Sequence, residues 1–184
     1  MKPINKTIRV FAPASSANLG CGFDVMGMAL DGIGDVLRIA ISEGDGLTIR
    51  NTSAAELPED IEKNVITPAV RAFMAAAGKK ACLEIVVEKK IRPGSGIGSS
   101  AASSAAAVFG LNELYGRPFP LPELVPFAME GEKLISGTAH ADNSAPAVMG
   151  GIVLIRGYQP LDMVRLPVPD SFCFSVIHPH IVVS

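Results

Sequence analysis

The sequence predicts a domain that mixes β-strands with α-helices around one core, and three observations predict it. Several short runs alternate apolar and polar residues with a period of two. Cys82–Glu88 is the clearest, with Leu83, Ile85 and Val87 on one side and Glu84, Val86 and Glu88 on the other. Other segments repeat their apolar residues at helical spacing, as Val70, Phe73, Met74 and Ala77 do. The third observation is Arg92–Gly116, RPGSGIGSSAASSAAAVFGLNELYG, a glycine-rich loop that runs into small residues suited to a helix packed closely on a flat surface.

Size and composition set the bounds. A chain of 184 residues supports one domain. At that length about 70% of the unfolded surface can be buried. Apolar residues make up 48% and charged residues 18%, which argues against disorder. The net charge of −2 offers no electrostatic footprint for nucleic acid or an acidic membrane. Cys21, Cys82 and Cys173 are odd in number and far apart, so they suit free thiols in a reducing compartment, and a cytoplasmic location is expected. MKPINKTIRV carries no apolar signal-peptide region, and no apolar run reaches the length of a membrane span.

The elements follow in order. Thr7–Ala12 is predicted as a strand, with Ile8 and Val10 on one face. PASSANLGCGFD, from Pro13 to Asp24, is too irregular for helix or strand and is expected to be a loop. Asn18 and Asp24 sit there among glycines, placed either to bind a small polar ligand or to cap a surface turn. Val36–Ser42 and Leu47–Arg50 are predicted as strands joined in a hairpin by Glu43–Gly46. Thr67 and Pro68 read as the N-cap and first residue of a helix that Gly78 ends. Asn64, just before it, can serve that turn or a ligand. The strand Cys82–Glu88 then leads into the glycine loop, and a helix of about four turns is expected over Ser99–Tyr115.

Beyond it, Pro126 is expected to interrupt a helix begun at Pro122, which would restart and run to about Ser136 with Phe127, Leu134 and Ile135 in the core. Glu130 and Glu132 are two apart, so they face different ways, and at least one is expected to be solvated. Gly137–Pro146 is read as a loop that gathers His140, Asp142 and Asn143. A structural role for the histidine and a part in acid–base chemistry are both open. Gly151–Arg156 is a very apolar, central strand, Met163–Leu166 an edge strand, and Phe172–Ile177 a further alternating run before the strand-like HPHIVVS.

The glycine loop carries the functional argument. Gly94, Gly96 and Gly98 alternate with other residues immediately before Ser99 and Ser100. Free N–H groups at the start of a helix, together with its dipole, form an anion site. Neither common nucleotide motif fits. No lysine follows as G-x-x-x-x-G-K-[ST] requires, and the glycine spacing differs from G-x-G-x-x-G. The loop is therefore read as a phosphate cradle built from main-chain amides.

PGSGIGSSAASS, from Pro93 to Ser104, is similar to the phosphate-loop signature of the kinase superfamily of galactokinase, homoserine kinase, mevalonate kinase and phosphomevalonate kinase. PASSANLGCGFDVMGMAL at Pro13–Leu30 and GTAHADNSAPAVMGG at Gly137–Gly151 resemble the homoserine kinase branch within it. The resemblance covers nearly the whole chain. It implies an α+β fold like domain 2 of ribosomal protein S5, a mixed sheet with helices packed on one face and a left-handed crossover. It also implies that residues 1–184 form the N-terminal, ATP-binding domain of a longer enzyme, the last strands from about 150 leading toward a second domain.

Further roles follow from the resemblance. Pro93, Gly94, Ser95, Gly96, Ile97, Gly98, Ser99, Ser100 and Ala101 would wrap the triphosphate of ATP, and Asn64 would contact the nucleoside. Ser100 and Glu132 would hold Mg²⁺, which takes one or two protein oxygens with phosphate and water. Asn18, Asp24, His140 and Asn143 would form the pocket for L-homoserine, with Asp24 toward its ammonium group and Asn143 toward its hydroxyl. Asp142 is the candidate base, against a mechanism in which the γ-phosphate takes the proton. The resemblance implies threonine biosynthesis as the pathway and is compatible with a homodimer. Rival readings are a mevalonate kinase-like enzyme and a non-catalytic nucleotide-binding domain.

Overall fold

The structure, a computed structural model, describes residues 6–54, 57–58, 60–138 and 140–177. Strands β1 (Lys6–Leu19), β2 (Gly22–Ser42) and β3 (Gly46–Asn51) come first. Helix α1 (Ile66–Ala76), strand β4 (Cys82–Glu88) and helices α2 (Ser99–Leu114), α3 (Leu121–Ser136) and α4 (Ala141–Met149) follow, then strands β5 (Ile152–Tyr158) and β6 (Leu161–Leu166). The strands form one mixed sheet in the order β3-β4-β2-β5-β6, with β1 also paired to β2. Among the described residues, only β3 and β4 run parallel.

β2 is the spine of this sheet. It pairs with β1 over most of its length, with β4 from Val36 to Ser42 and with β5 from Met26 to Met28. The predicted hairpin between Val36–Ser42 and Leu47–Arg50 does not form. Both edges of β2 are taken there, by β1 and β4, so β3 adds outside β4 instead, Gly46 opposite Cys82. The expected loop at Pro13–Asp24 is also replaced by strand. β1 and β2 meet around Gly20–Cys21, and the irregularity seen in the sequence takes the form of register shifts at Pro13/Ser15 and Ala17/Leu19.

α2 lies at the centre of the helical layer. Ala101 to Val108 are buried without a break, so the helix has no solvent face over two turns. It rests on β1 and β2 and touches α1, α3 and α4. The close approach expected from its small residues is seen at Gly110, where an added Cβ would lie 2.6 Å from Ile39 Cδ1.

Other boundaries differ for local reasons. Thr67 is inside α1 rather than at its cap, and Asn64 Oδ1 instead receives the Ile66 N–H at 3.0 Å. α3 runs unbroken through Pro126, and α4 likewise contains Pro146, where a loop was expected. Each proline removes one helical N–H. Burial offsets that loss, because Leu124, Val125, Ala128, Ala141 and Ala145 are completely enclosed. Leu134 and Ile135, expected in the core, are exposed on the last turn of α3, whereas Phe127 packs edge-on against Phe73. Phe172–Ile177 forms no strand and its apolar side chains lie open to solvent. HPHIVVS lies outside the described residues.

Candidate active site

The glycine loop adopts the geometry an anion site needs. Gly94, Gly96 and Gly98 all have positive φ, 73°, 75° and 65°. Alternating left-handed residues turn successive N–H groups to one side and make a concave nest. Gly98 is the residue before α2, and the first N–H of that helix with a main-chain partner is Ala102, bonded to the Gly98 carbonyl at 2.9 Å. Among the described residues, no hydrogen bond engages the N–H groups from Gly96 to Ala101. Gly94 and Gly96 are exposed and Ile97 to Ser100 half-buried, so the amides are open to a ligand. The hydroxyl of Ser95 is also buried without a protein partner among the described residues.

Gly98 admits no side chain. A Cβ there would lie 2.0 Å from Ser15 Oγ and 3.1 Å from Asn143 Oδ1. Gly98→Ala combines that overlap with a left-handed backbone and is expected to destabilise the protein by about 2 kcal/mol. Urea unfolding measures the loss. An unchanged midpoint would show that the loop relaxes freely around a side chain.

A buried cation lies under the loop, one the sequence reading missed. Lys89 Nζ pairs with Asp35 Oδ2 and donates to the Ser99 carbonyl at 2.5 Å and to Ser103 Oγ at 2.8 Å. Asp35 also accepts from Ser103 Oγ and from the N–H groups of Lys90 and Ile91, each at 3.0 Å. Burial pushes the Lys89 ammonium below its ordinary range, and the Asp35 carboxylate opposes that shift. The pattern itself held a signal for the pair. Asp35 continues the inward series Leu37, Ile39, Ile41, and Lys89 the inward series Leu83, Ile85, Val87.

Beside the loop is a cavity of about 250 Å³ lined by Asn64, Lys89, Pro93, Ser99, Ser100 and Ile135, among others. Asn64 therefore both starts α1 and faces this space. Two cavities of similar size, beside Gly46 and beside Arg165, hold none of the candidate site residues.

α3 brings Glu132 to the start of α2. Its half-buried carboxylate takes a hydrogen bond from Ser100, and burial raises it above the ordinary carboxylate range, against the pull of that bond and of Lys89. A desolvated carboxylate touching a hydroxyl at the mouth of an amide nest is a donor pair that fits Mg²⁺. Glu130, by contrast, sits on the surface paired with Lys133. Among the described residues, no group of three or more His, Cys, Asp or Glu is placed to hold a metal alone.

The remaining candidates meet on the other side of the loop. Asn18 and Asp24 both have φ of 59°, and Asn18 Oδ1 accepts the Asp24 N–H at 2.8 Å. Asp24 Oδ1 lies 3.9 Å from Nδ1 of His140, the residue that precedes α4. Tyr158 OH ties this corner together, donating to the Asp24 carbonyl and accepting from the Ala141 N–H, both at 3.2 Å. α4 itself is pressed onto β2, since a Cβ on Gly27 would lie 1.7 Å from the Asp142 carbonyl oxygen. Asn143 is half-buried and its Oδ1 accepts from Ser15 Oγ at 2.8 Å. Asp142 precedes it in α4 and interacts electrostatically with His140, Asp24 and Glu132. It is 4% exposed, takes the Asn143 N–H at 3.0 Å, and is raised by burial against the opposing effect of His140.

The loop, the carboxylate–hydroxyl pair and the polar corner thus surround the N-terminus of α2, and this fold is the GHMP kinase N-terminal domain. Residues 64–151 match the family described as GHMP kinases N terminal domain. The chain is a homologue of homoserine kinases. It is 46% identical over 177 residues to the one from Natronomonas pharaonis, covering 96% of this chain and 57% of that protein. It is 40% identical over 190 residues to that from Chlorobium phaeobacteroides, covering 97% of this chain and 59% of that protein. The crystal structure of homoserine kinase from Cytophaga hutchinsonii superposes with a TM-score of 0.83 at 45% identity, covering 92% of this chain and 54% of that one. The mevalonate kinase of L. major shares the fold, with a TM-score of 0.68 at 22% identity. The chain spans less than two thirds of the length of these curated relatives.

Proposed function

We propose that the protein is an ATP:L-homoserine O-phosphotransferase of threonine biosynthesis, acting in the cytoplasm, with residues 1–184 as the N-terminal domain of a longer enzyme. One observation carries this reading. The Asn143 carboxamide lies 3.1 Å from where a Gly98 side chain would begin, so an acceptor held by Asn143 abuts the phosphate loop. In-line phosphoryl transfer needs that adjacency of donor and acceptor, and depends on position and charge more than on covalent chemistry.

The residues divide the work. Pro93 to Ala101 cradle the triphosphate with their amides, and Asn64 faces the nucleoside. Ser100 and Glu132 would hold Mg²⁺, which would supply positive charge against the transferred phosphoryl group. Asp24 and Asn18 receive the ammonium end of L-homoserine, with His140 beside them, and Asn143 receives its hydroxyl. Asp142 is buried and bonded to its own helix, which supports proton transfer to the γ-phosphate instead.

Two measurements test this. ATP-dependent phosphorylation of L-homoserine by the intact protein is the first, with mevalonate as the competing acceptor and L-threonine as a feedback ligand. Absence of transfer to L-homoserine would overturn the assignment, and MgATP binding without transfer to any acceptor would indicate a non-catalytic domain.

The second is Asp142→Asn, expected to retain most of the turnover. A fall of about 10⁴-fold would make Asp142 the base. Its stability carries a pH signature as well. The folded carboxyl is raised above its unfolded value, so its stabilising contribution is complete below the unfolded pKa and is lost as pH rises through the folded one. The Asn variant is therefore expected to gain on the parent as pH rises from about 4 toward neutrality.

A further inference from the structure

β1 carries a register shift between Pro13 and Ser15. Alternation along a strand would bury only one of two neighbouring residues, yet Ala14 and Ser15 are both fully buried. The bulge re-aims Ser15 into the space between the glycine loop and α4. There the residue makes two bonds to two different parts of the site. Its N–H donates to the Ile97 carbonyl at 3.2 Å, and its hydroxyl donates to Asn143 Oδ1 at 2.8 Å. Gly98 completes the contact, because any side chain there would strike Ser15 Oγ.

The hydroxyl has one proton, and it goes to Asn143. In the structure that bond falls on the oxygen end of the carboxamide. Oδ1 is engaged, so Nδ2 is the end left for a ligand. An amide presented in this sense donates to a hydroxyl oxygen and leaves the lone pair that attacks phosphorus to be set by the donated bond. A flipped amide would offer an acceptor instead and compete for the hydroxyl proton.

We infer that Ser15 is a positioning residue that orients the Asn143 carboxamide toward the acceptor and ties it to the phosphate loop through Ile97. This rests on Asn143 being the acceptor contact proposed above. The main-chain bond to Ile97 survives any substitution, so removing the hydroxyl isolates the bond to Asn143.

The test is a double-mutant cycle in the intact enzyme with Ser15→Ala, Asn143→Ala and the pair. Ser15→Ala is expected to lower kcat/KM for L-homoserine about tenfold while the Kd for MgATP stays within about twofold. In the Asn143→Ala background the same change is expected to have no further effect, since its target is gone. Equal losses in both backgrounds, or an unchanged kcat/KM, would overturn the inference.

A second measurement needs no variant to fold with Ser15 altered. The Asn143 side-chain amide protons, assigned by their loss in Asn143→Ala, are expected to shift when L-homoserine is added to the wild-type enzyme. Unmoved signals would overturn the proposed orientation. A wild-type enzyme inactive on L-homoserine overturns the kinase assignment and this inference together. An active one with additive variants overturns this inference alone.

Discussion

Lys89→Met is expected to lower the unfolding free energy of the intact protein by about 3 kcal/mol, a fall in Tm of about 10 °C. Met is unbranched like Lys and only one atom shorter, so little packing is lost. What remains is Asp35, wholly buried, its lysine partner gone. Three donors still reach that carboxylate, from Ser103, Lys90 and Ile91, which keeps the loss at the low end for a broken buried pair. The Ser99 carbonyl also loses a donor, and Ser99 stands at the first position of α2. Adding Asp35→Asn removes the stranded charge and is expected to restore part of the loss. A change below about 1 kcal/mol would mean the buried pair contributes nothing net to the fold.

Glu132→Gln is expected to reduce turnover about 10³-fold without harming the fold. Gln keeps the shape and still accepts from Ser100, but it cannot offer a charge to a divalent cation. Because burial disfavours the Glu132 carboxylate, the neutral variant should be no less stable than the parent at neutral pH without metal. Steady-state assays across a Mg²⁺ titration give the answer. A loss of under about tenfold at saturating Mg²⁺ would remove Glu132 from the cation site. Stability and activity moving apart in this way would mark a carboxylate kept for function rather than for folding.

How much of this was legible beforehand depended on whether the information was local. β4 was read to the residue, and α2 to within one, because the period-two run and the glycine punctuation both lie inside those segments. The geometry of the glycine loop was legible for the same reason. Gly94, Gly96 and Gly98 announce positive φ without reference to anything distant.

Partner choice between strands was not legible. Nothing within Leu47–Arg50 says that β2 has no edge to spare. The bulges of β1 were read as loop because each breaks the alternation that marks a strand. Pro126 misled because propensity speaks for the isolated helix, whereas burial of α3 against α1, α2 and α4 decides. In the site, the motif residues were visible as types, but their supports were not. Ser15 and Tyr158 act through contacts 128 and 134 residues away in sequence. Asp35 and Lys89 were nearer to hand, since extending two apolar series by one step would have exposed them as a charged pair facing inward.

The long span of β2 has a consequence for how the protein is made. Its segment Met26–Met28 waits for β5, and roughly 110 residues must follow Ser42 before Ile152 is synthesised. At about 5–20 residues per second, a nascent chain spends roughly 5–20 s with that edge unpaired on the ribosome. During this interval the half-built sheet is a template for stray strands and a target for chaperones, and it closes only when the β5–β6 hairpin emerges.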